Sequence, residues 1–241
     1  MPKYSIIIPT YNEGARLGPA LESVLSHADT NRWDAEVIVV DDGSQDDTAD
    51  LVRRRAKENP SLHLLQNPGN HGKGYSVRNG MLNARGEILL FTDADLSAPI
   101  EQASKLFGAI ESGADVAIGS RWLQPNLQTH RQSLLRQFYG RSFNLFLQLL
   151  LGLKFKDTQC GFKAFSRNAA VTLFSKQTID GWGFDAELLY LASRLGLKVI
   201  EIPVVWSDAA GTRIHPLRDG LRMVQEAMLI RRNAFSGKYS R

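Results

Sequence analysis

The sequence predicts an α/β fold, a mostly parallel sheet with helices on both faces, built as a single domain. Three observations carry that expectation. Short β-branched runs alternate with amphipathic stretches through the first 120 residues. The runs are continuously apolar, as in strands buried on both faces. No Ser/Gly/Pro-rich stretch, long charge run or internal repeat divides the 241 residues.

The elements follow in order. Tyr4 to Pro9 reads as the first strand. A helix from about Arg16 to His27 places Leu17, Leu21, Val24 and Leu25 on one face. Ala35 to Val40 is the second strand. Ser44, with Asp47 three residues on, reads as the N-cap of a helix reaching about Lys57, and Asp46 and Asp47 as acids of its first turn. Leu62 to Gln66 is the third strand, and a Gly-rich turn leads into a helix from about Tyr75 to Ala84. Glu87 to Thr92 and Asp115 to Gly119 are the fourth and fifth strands, with a helix between them. The second half is less regular. It holds a long helix at 134–151, a helix near Asp185 to Leu195, a strand at Lys198 to Ile202 and an amphipathic helix from Pro216 to Arg232 with a basic tail.

Composition narrows the function. The chain is 43% hydrophobic and 22% charged, an ordinary globular balance. Its net charge of +4, from 29 basic and 25 acidic residues, is too small for a nucleic-acid binder but suits an anionic membrane surface or a phosphorylated substrate. Cys160 is the single cysteine, so no internal disulfide or Cys/His zinc pattern is expected. The first residues run straight into a strand, so no leader is expected and a cytoplasmic location follows. The most apolar stretch, between Arg141 and Lys154, would reach about 18 Å as a helix, against a hydrocarbon core of about 30 Å. It can lie on a membrane or in a core but cannot span.

In parallel sheets, ligands bind beyond the carboxyl ends of the strands. Three of those ends carry polar clusters: Pro9-Thr10-Tyr11-Asn12-Glu13, Asp41-Asp42-Gly43-Ser44 and Asp93-Ala94-Asp95. Acids gathered on one edge repel one another unless a cation joins them, and carboxylates suit Mg²⁺ or Mn²⁺ completed by substrate phosphates. Asp41-Asp42-Gly43-Ser44 also reads as a turn plus a cap, and a lone Asp-x-Asp is weak; the order of all three carries the signal. Other phosphate motifs fail. Gly72-Lys73-Gly74 is not a P-loop, because Asn67 stands where its first glycine belongs, nor a dinucleotide fingerprint, because Val77 replaces the third. It reads as a loop passing close to a nucleotide, with Lys73 a contact. No Gly-x-Ser-x-Gly or His-Glu-x-x-His is present.

The runs Ile-Ile-Ile-Pro-Thr-Tyr-Asn-Glu, Val-Val-Asp-Asp-Gly-Ser and Thr-Asp-Ala-Asp resemble glycosyltransferase family 2, with its Rossmann-like GT-A fold. Gly119-Ser-Arg121, the run from Asp157 to Lys163, Trp182 to Leu189 and Glu201 to Trp206 are similar to the dolichyl-phosphate β-glucosyltransferases. They are less similar to the mannose synthases and other polyprenyl-phosphate enzymes. The resemblance covers nearly the whole chain and implies a nucleotide-binding half (about 1–120) and an acceptor half (about 121–241). By the same resemblance Pro9, Tyr11 and Glu13 line the base pocket, and Asp41 and Asp42 contact base and ribose. Asp93 holds the ribose or metal side, beside Ala94, and Asp95 ligates Mg²⁺ or Mn²⁺. The mannose synthases have a glutamine where this chain has Ser97, a shorter ligand. That difference points to the glucosyl branch and leaves the third protein ligand open.

The implied reaction is inverting transfer of a hexose, glucose from UDP-glucose, to dolichyl or polyprenyl phosphate. The alternatives are a GDP-mannose donor, a soluble saccharide acceptor, and a silent nucleotide-binding or membrane-docking module; a nucleotidyltransferase is a minor fourth. An acceptor phosphate needs cationic partners, for which arginine forks are suited. Arg121, Arg136 and Arg213 are the candidates, the last in a loop that could close over the pyrophosphate; Arg131 and Arg141 rank below Arg136. Asp157 orients the acceptor, completes the metal shell or acts as base. Trp182 and Trp206 read as sugar- or lipid-stacking or as core, and Asp185 and Glu187 as sugar contacts or helix acids. Phe143, Phe146, Leu147, Leu149, Leu150 and Leu151 make helix 134–151 apolar nearly all round. It reads as a core helix or as an interfacial helix beside the basic tail residues Arg231, Arg232, Lys238 and Arg241. The expected attachment is peripheral, on the cytosolic face.

Overall fold

The apolar runs become strands joined through helices. The first half runs β1 (Tyr4–Thr10), α1 (Gly14–Thr30), β2 (Ala35–Asp41), α2 (Thr48–Glu58), β3 (Leu62–Gln66), α3 (Lys73–Asn83), β4 (Ile88–Thr92), α4 (Ala103–Glu111) and β5 (Val116–Ser120). The second half adds β6 (Gln128–His130), α5 (Leu134–Leu151), β7 (Phe162–Ser166), α6 (Arg167–Lys176), α7 (Phe184–Arg194), β8 (Val199–Pro203), β9 (Trp206–Ser207) and α8 (Pro216–Phe235). The computed structural model of the chain describes residues 1–130, 133–208 and 216–240.

Among those residues the main sheet has the order β3-β2-β1-β4-β7-β5-β8. β1, β2, β3 and β4 are mutually parallel, and β8 is parallel to β5. Strand faces alternate between two cores, as sequence continuity requires. Ile7, Val40, Leu89 and Phe91 join the core under α3, α5, α6 and α7. Ile6, Ile8, Val37, Val39 and Leu90 join the one under α1 and α4. The chain builds β3-β2-β1 outward and then returns to place β4 on the other side of β1. The carboxyl ends of β1 and β4 therefore flank a topological switch point, where such sheets bind ligands.

The structure corrects the expected layout at three places. β7 lies antiparallel between β4 and β5. Its Lys163 is fully buried, so the strand lacks the apolar run that marks its neighbours. α6 follows directly, with Ser166 accepting from the Ala169 N–H at 3.3 Å. Ser44 is not a helix cap. α2 begins only at Thr48, and Ser44 Oγ instead accepts from the Asn12 N–H at 2.8 Å, stitching the first polar cluster to the second.

Candidate active site at the carboxyl edge of the sheet

The three polar clusters do converge. Thr10 and Asp41 are register partners, and β4 leaves the sheet beside β1. Their carboxylates are not equivalent, however. Asp41 is buried, accepting from the Ser44 N–H and from Gln66 Nε2, both at 3.2 Å. Asp42, also buried, accepts from Asn67 Nδ2 at 2.7 Å and from the Gly72 N–H at 2.8 Å. Its structural work is to shape the 67–72 loop. Glu13 pairs with Arg16 at 2.7 Å, and Tyr11 is exposed beside it. Much of the expected repulsion is thus relieved by protein groups.

Asp93 and Asp95 differ from these. Asp93 meets Lys73 Nζ at 2.5 Å, and Lys73 lies 5.2 Å from the Trp182 ring centre. Burial works against the Lys73 charge, but Asp93, Asp185 and Asp95 outweigh it and hold its pKa above the usual lysine range. Asp95 is exposed and, among the described residues, accepts only from the Ser97 N–H at 3.0 Å. Ala94, between them, is buried in the core under α1 and α4.

Glycines explain how the loops come so close. A Cβ on Gly161 would stand 2.1 Å from the Asp93 carboxylate, so the 157–163 run supplies the floor on which that carboxylate rests. Gly72, at φ 107°, and Gly74 press against the backbone of residues 179–181; a Cβ on them would lie 2.6 and 2.7 Å from carbonyl oxygens. That contact sets Lys73 under Asp93.

Behind the acids lies a charge layer that the sequence only partly revealed. Lys163 Nζ donates to Asp185 and, at 2.6 Å, to the Cys160 carbonyl. Burial raises the Asp185 pKa against the pull of Lys163 and Lys73. The spacing of Lys163 and Asp185 in the chain gave no hint of the pair. Cys160 is a packed thiol, pushed up to about 12 by burial. Glu187 does not reach the edge: it accepts from the Thr178 and Ile179 N–H groups and, at 2.6 Å, from the Tyr239 hydroxyl. Gln159 Nε2 and Ser120 Oγ are buried without a hydrogen-bond partner among the described residues. Both belong to runs already singled out, but only the fold exposes their unmet capacity.

The acceptor candidates are arranged less simply than expected. Arg121 and Asp157 form a bidentate pair, Nε to Oδ2 at 2.7 Å and Nη2 to Oδ1 at 2.8 Å, and the Arg121 N–H adds a bond at 3.0 Å. Burial would raise the Asp157 pKa, but Arg121 overrides it and holds the carboxyl below the usual range. A carboxylate held ionised in this way has little tendency to take up a proton. Arg121 also lies 5.5 Å from the Trp206 ring centre, and Trp206 is buried. Arg136 reaches Asp208 at 3.2 Å. Arg213 and Arg131 lie outside the described residues.

Known proteins with this arrangement give it a family. Residues 5–174 match the family model Glycosyl transferase family 2. Dolichyl-phosphate beta-glucosyltransferase of Drosophila melanogaster is 37% identical over 94% of this chain and 73% of its own length. Its counterparts in Saccharomyces cerevisiae and Homo sapiens are 34% and 31% identical, each over 98% of this chain and 76% of theirs. The chain thus spans about three quarters of these relatives. Among solved structures, glucosyl-3-phosphoglycerate synthase from Mycobacterium tuberculosis, crystallised with Mn²⁺, UDP-glucose and phosphoglyceric acid, superposes with a TM-score of 0.71 at 20% identity, covering 99% of this chain and 80% of that one. That likeness bears on the fold, which is the expected GT-A type. The chain belongs to glycosyltransferase family 2 and is a hexosyltransferase of the branch that contains the dolichyl-phosphate β-glucosyltransferases.

Proposed function

We propose that the chain transfers glucose, with inversion, from UDP-glucose to the phosphate of dolichyl or a related polyprenyl phosphate at a membrane surface. The observation that carries the reading is Asp93 seated on Gly161, which joins the donor motif to the run most specific to the glucosyl branch. The names of the relatives supply the acceptor.

In this reading Pro9, Tyr11 and Glu13 border the base, and Asp41 meets the ribose side. Asp42 acts mainly through the 67–72 loop. Among the described residues no three acids or histidines cluster as a ready metal site. The donor set still fits Mg²⁺ or Mn²⁺, since exposed Asp95 and adjacent Asp93 offer two carboxylates, the number usual where diphosphate and water complete the shell. When bound, the ion neutralises charge on the departing diphosphate. Lys73, paired with Asp93 at the same edge, would add a positive charge beside those phosphates. The acceptor needs little proton abstraction, because a phosphate monoester is largely ionised at neutral pH, with a second pKa of about 6. An Asp157 locked by Arg121 suits that acceptor better than a saccharide hydroxyl, which requires a base.

The membrane reading rests on two adjoining helices. On α5, Leu135, Phe138, Leu145 and Leu149 are 63%, 65%, 54% and 79% exposed, at helical spacing. Leu147 and Leu151 are buried in the core instead, so the exposed apolar residues lie on the other side of the helix. α8 packs against α5 and adds exposed Leu221, Met228 and Phe235, near Arg231 and Arg232. Among the described residues no helix is long and apolar enough to cross a membrane. The face fits peripheral attachment to the cytosolic leaflet.

The test is incubation with polyprenyl phosphate or free saccharides and with UDP-glucose or GDP-mannose, with and without Mn²⁺, reading products by mass. Glucosylated lipid phosphate from UDP-glucose is expected. Product from GDP-mannose alone, or on saccharides alone, would refute the reading.

A further inference from the structure

Trp182 forms a wall beside the lysine of the donor edge. Its ring centre is 5.2 Å from Lys73 Nζ, and Lys73 meets Asp93 at 2.5 Å. The loop that carries Trp182 is held from two sides. On one side it is tied to α3 and the turn before it. Gly72 and Gly74 pack on the backbone of residues 179–181, the Tyr75 N–H donates to the Asp180 carbonyl at 3.1 Å, and Arg78 reaches the Asp180 carboxylate at 3.0 Å. Gln177 Nε2 adds bonds to the Gly74 and Ile179 carbonyls at 2.9 and 2.7 Å.

On the other side stands a carboxylate from α8. Glu226 Oε2 accepts from the Gly183 N–H at 2.7 Å. A Cβ on Gly181 would lie 2.0 Å from Glu226 Oε1, and one on Gly183 would lie 2.8 Å from Glu226 Cβ. The Glu226 side chain therefore fills the space that both glycines leave, before and after Trp182. Gly183 stands at the N-terminus of α7, where the helix dipole favours an anion. Burial still raises the Glu226 pKa, against the pull of the Gly183 N–H and of Arg222, which reaches the carboxylate at 3.3 Å. A Ser, Thr or Asp at the start of α7 would cap it without burying a charge from elsewhere. A carboxylate from 43 residues away does more: it fixes the backbone on which Trp182 is mounted.

We propose that Glu226 is a positioning residue for the donor: by seating the Gly181–Gly183 backbone it holds Trp182 against Lys73 and so keeps the Lys73 ammonium beside the donor diphosphate. The inference rests on the reading of Lys73 as a phosphate contact. It is tested by calorimetric titration of the full chain with UDP in the presence of Mn²⁺, using Glu226→Ala, Glu226→Gln, Lys73→Ala and the double variant of Glu226→Ala with Lys73→Ala. Glu226→Ala should weaken UDP binding about tenfold, the scale of one lost charge-assisted hydrogen bond. Glu226→Gln keeps an oxygen facing the Gly183 N–H and should recover most of that loss. In the Lys73→Ala background the effect of Glu226→Ala should shrink to about twofold or less, because the two residues act through one contact. If Glu226→Ala does not fold, Glu226→Asp, which withdraws the carboxylate by one methylene, replaces it in both backgrounds with an expected loss of about threefold. A cap with no further role would lower Tm and leave UDP affinity unchanged, and that result overturns the proposal. So does an equal loss of affinity in both backgrounds. A Lys73→Ala protein that binds UDP as tightly as the wild type would refute the Lys73 reading itself, a distinguishable result.

Discussion

Two acidic residues of this site, Asp157 and Asp95, look alike in the sequence and differ in kind in the structure. Asp157 is buried and complete: Arg121 supplies two side-chain bonds and a backbone N–H. Asp95 is exposed and incomplete, with one backbone N–H on one oxygen among the described residues. A carboxylate whose capacity is filled by protein holds the fold, and one left unfilled at a strand end is available to a ligand. Asp93 stands between the two, paired with Lys73 yet partly open at the edge.

The largest way to break this contrast is Asp157→Ala. Removing one partner of a buried pair leaves Arg121 uncompensated, at a cost of about 3–5 kcal/mol. For a domain of this size that lowers Tm by about 10 °C, measurable by thermal denaturation. Asp95→Ala should do the reverse. Turnover should fall about 10²–10³-fold (about 2.7–4 kcal/mol of transition-state stabilisation), with Tm nearly unchanged. If both variants lost stability equally, the distinction would be wrong.

A smaller effect sharpens the link between the two regions. Gly161→Ala places a methyl group against the Asp93 carboxylate and should displace it. Steady-state kinetics should show a loss of about 10- to 100-fold, since shifts of about 1 Å at a reacting centre cost that much. Unaltered kinetics would show that Asp93 need not rest on residue 161.

The smallest is a pH effect. The Asp157 and Glu36 carboxyls are both held below their usual range: burial opposes the charge, but Arg121 outweighs it at Asp157, and Ser5 and Arg85 outweigh it at Glu36. A depressed folded-state pKa contributes stability above the unfolded value of about 4, and that stability is lost as pH falls through the carboxylate range. Melts from pH 7 downward should show this loss, and Asp157→Asn should make the acid limb shallower. Parallel limbs would argue against the pairing.

The donor half was legible because continuous β-branched strands and polar strand ends are local signals. The run from Ile6 to Glu13 and the Asp93-Ala94-Asp95 triplet announce both a strand and its loop. The acceptor half hid its organisation in long-range pairs. β7 carries a buried lysine whose partner, Asp185, lies on another element, so no local pattern marked the strand. The acidic partners of Arg121 and Arg136 are distant in sequence, 36 residues away in the first case and 72 in the second, so no local pattern announced these pairs. Arg141 ranked lower for want of any local cue, and only the fold sets it over Trp122 beside Lys156.

The proposed function turns on Asp95 and Asp93 at the strand end holding a divalent cation together with the donor nucleotide. The most direct test titrates Mn²⁺ by electron paramagnetic resonance in the presence of UDP, comparing the wild type with Asp95→Ala. One tightly held Mn²⁺ per chain is expected in the wild type, requiring UDP, with its loss in a folded Asp95→Ala protein. Equal Mn²⁺ binding by both proteins would contradict it.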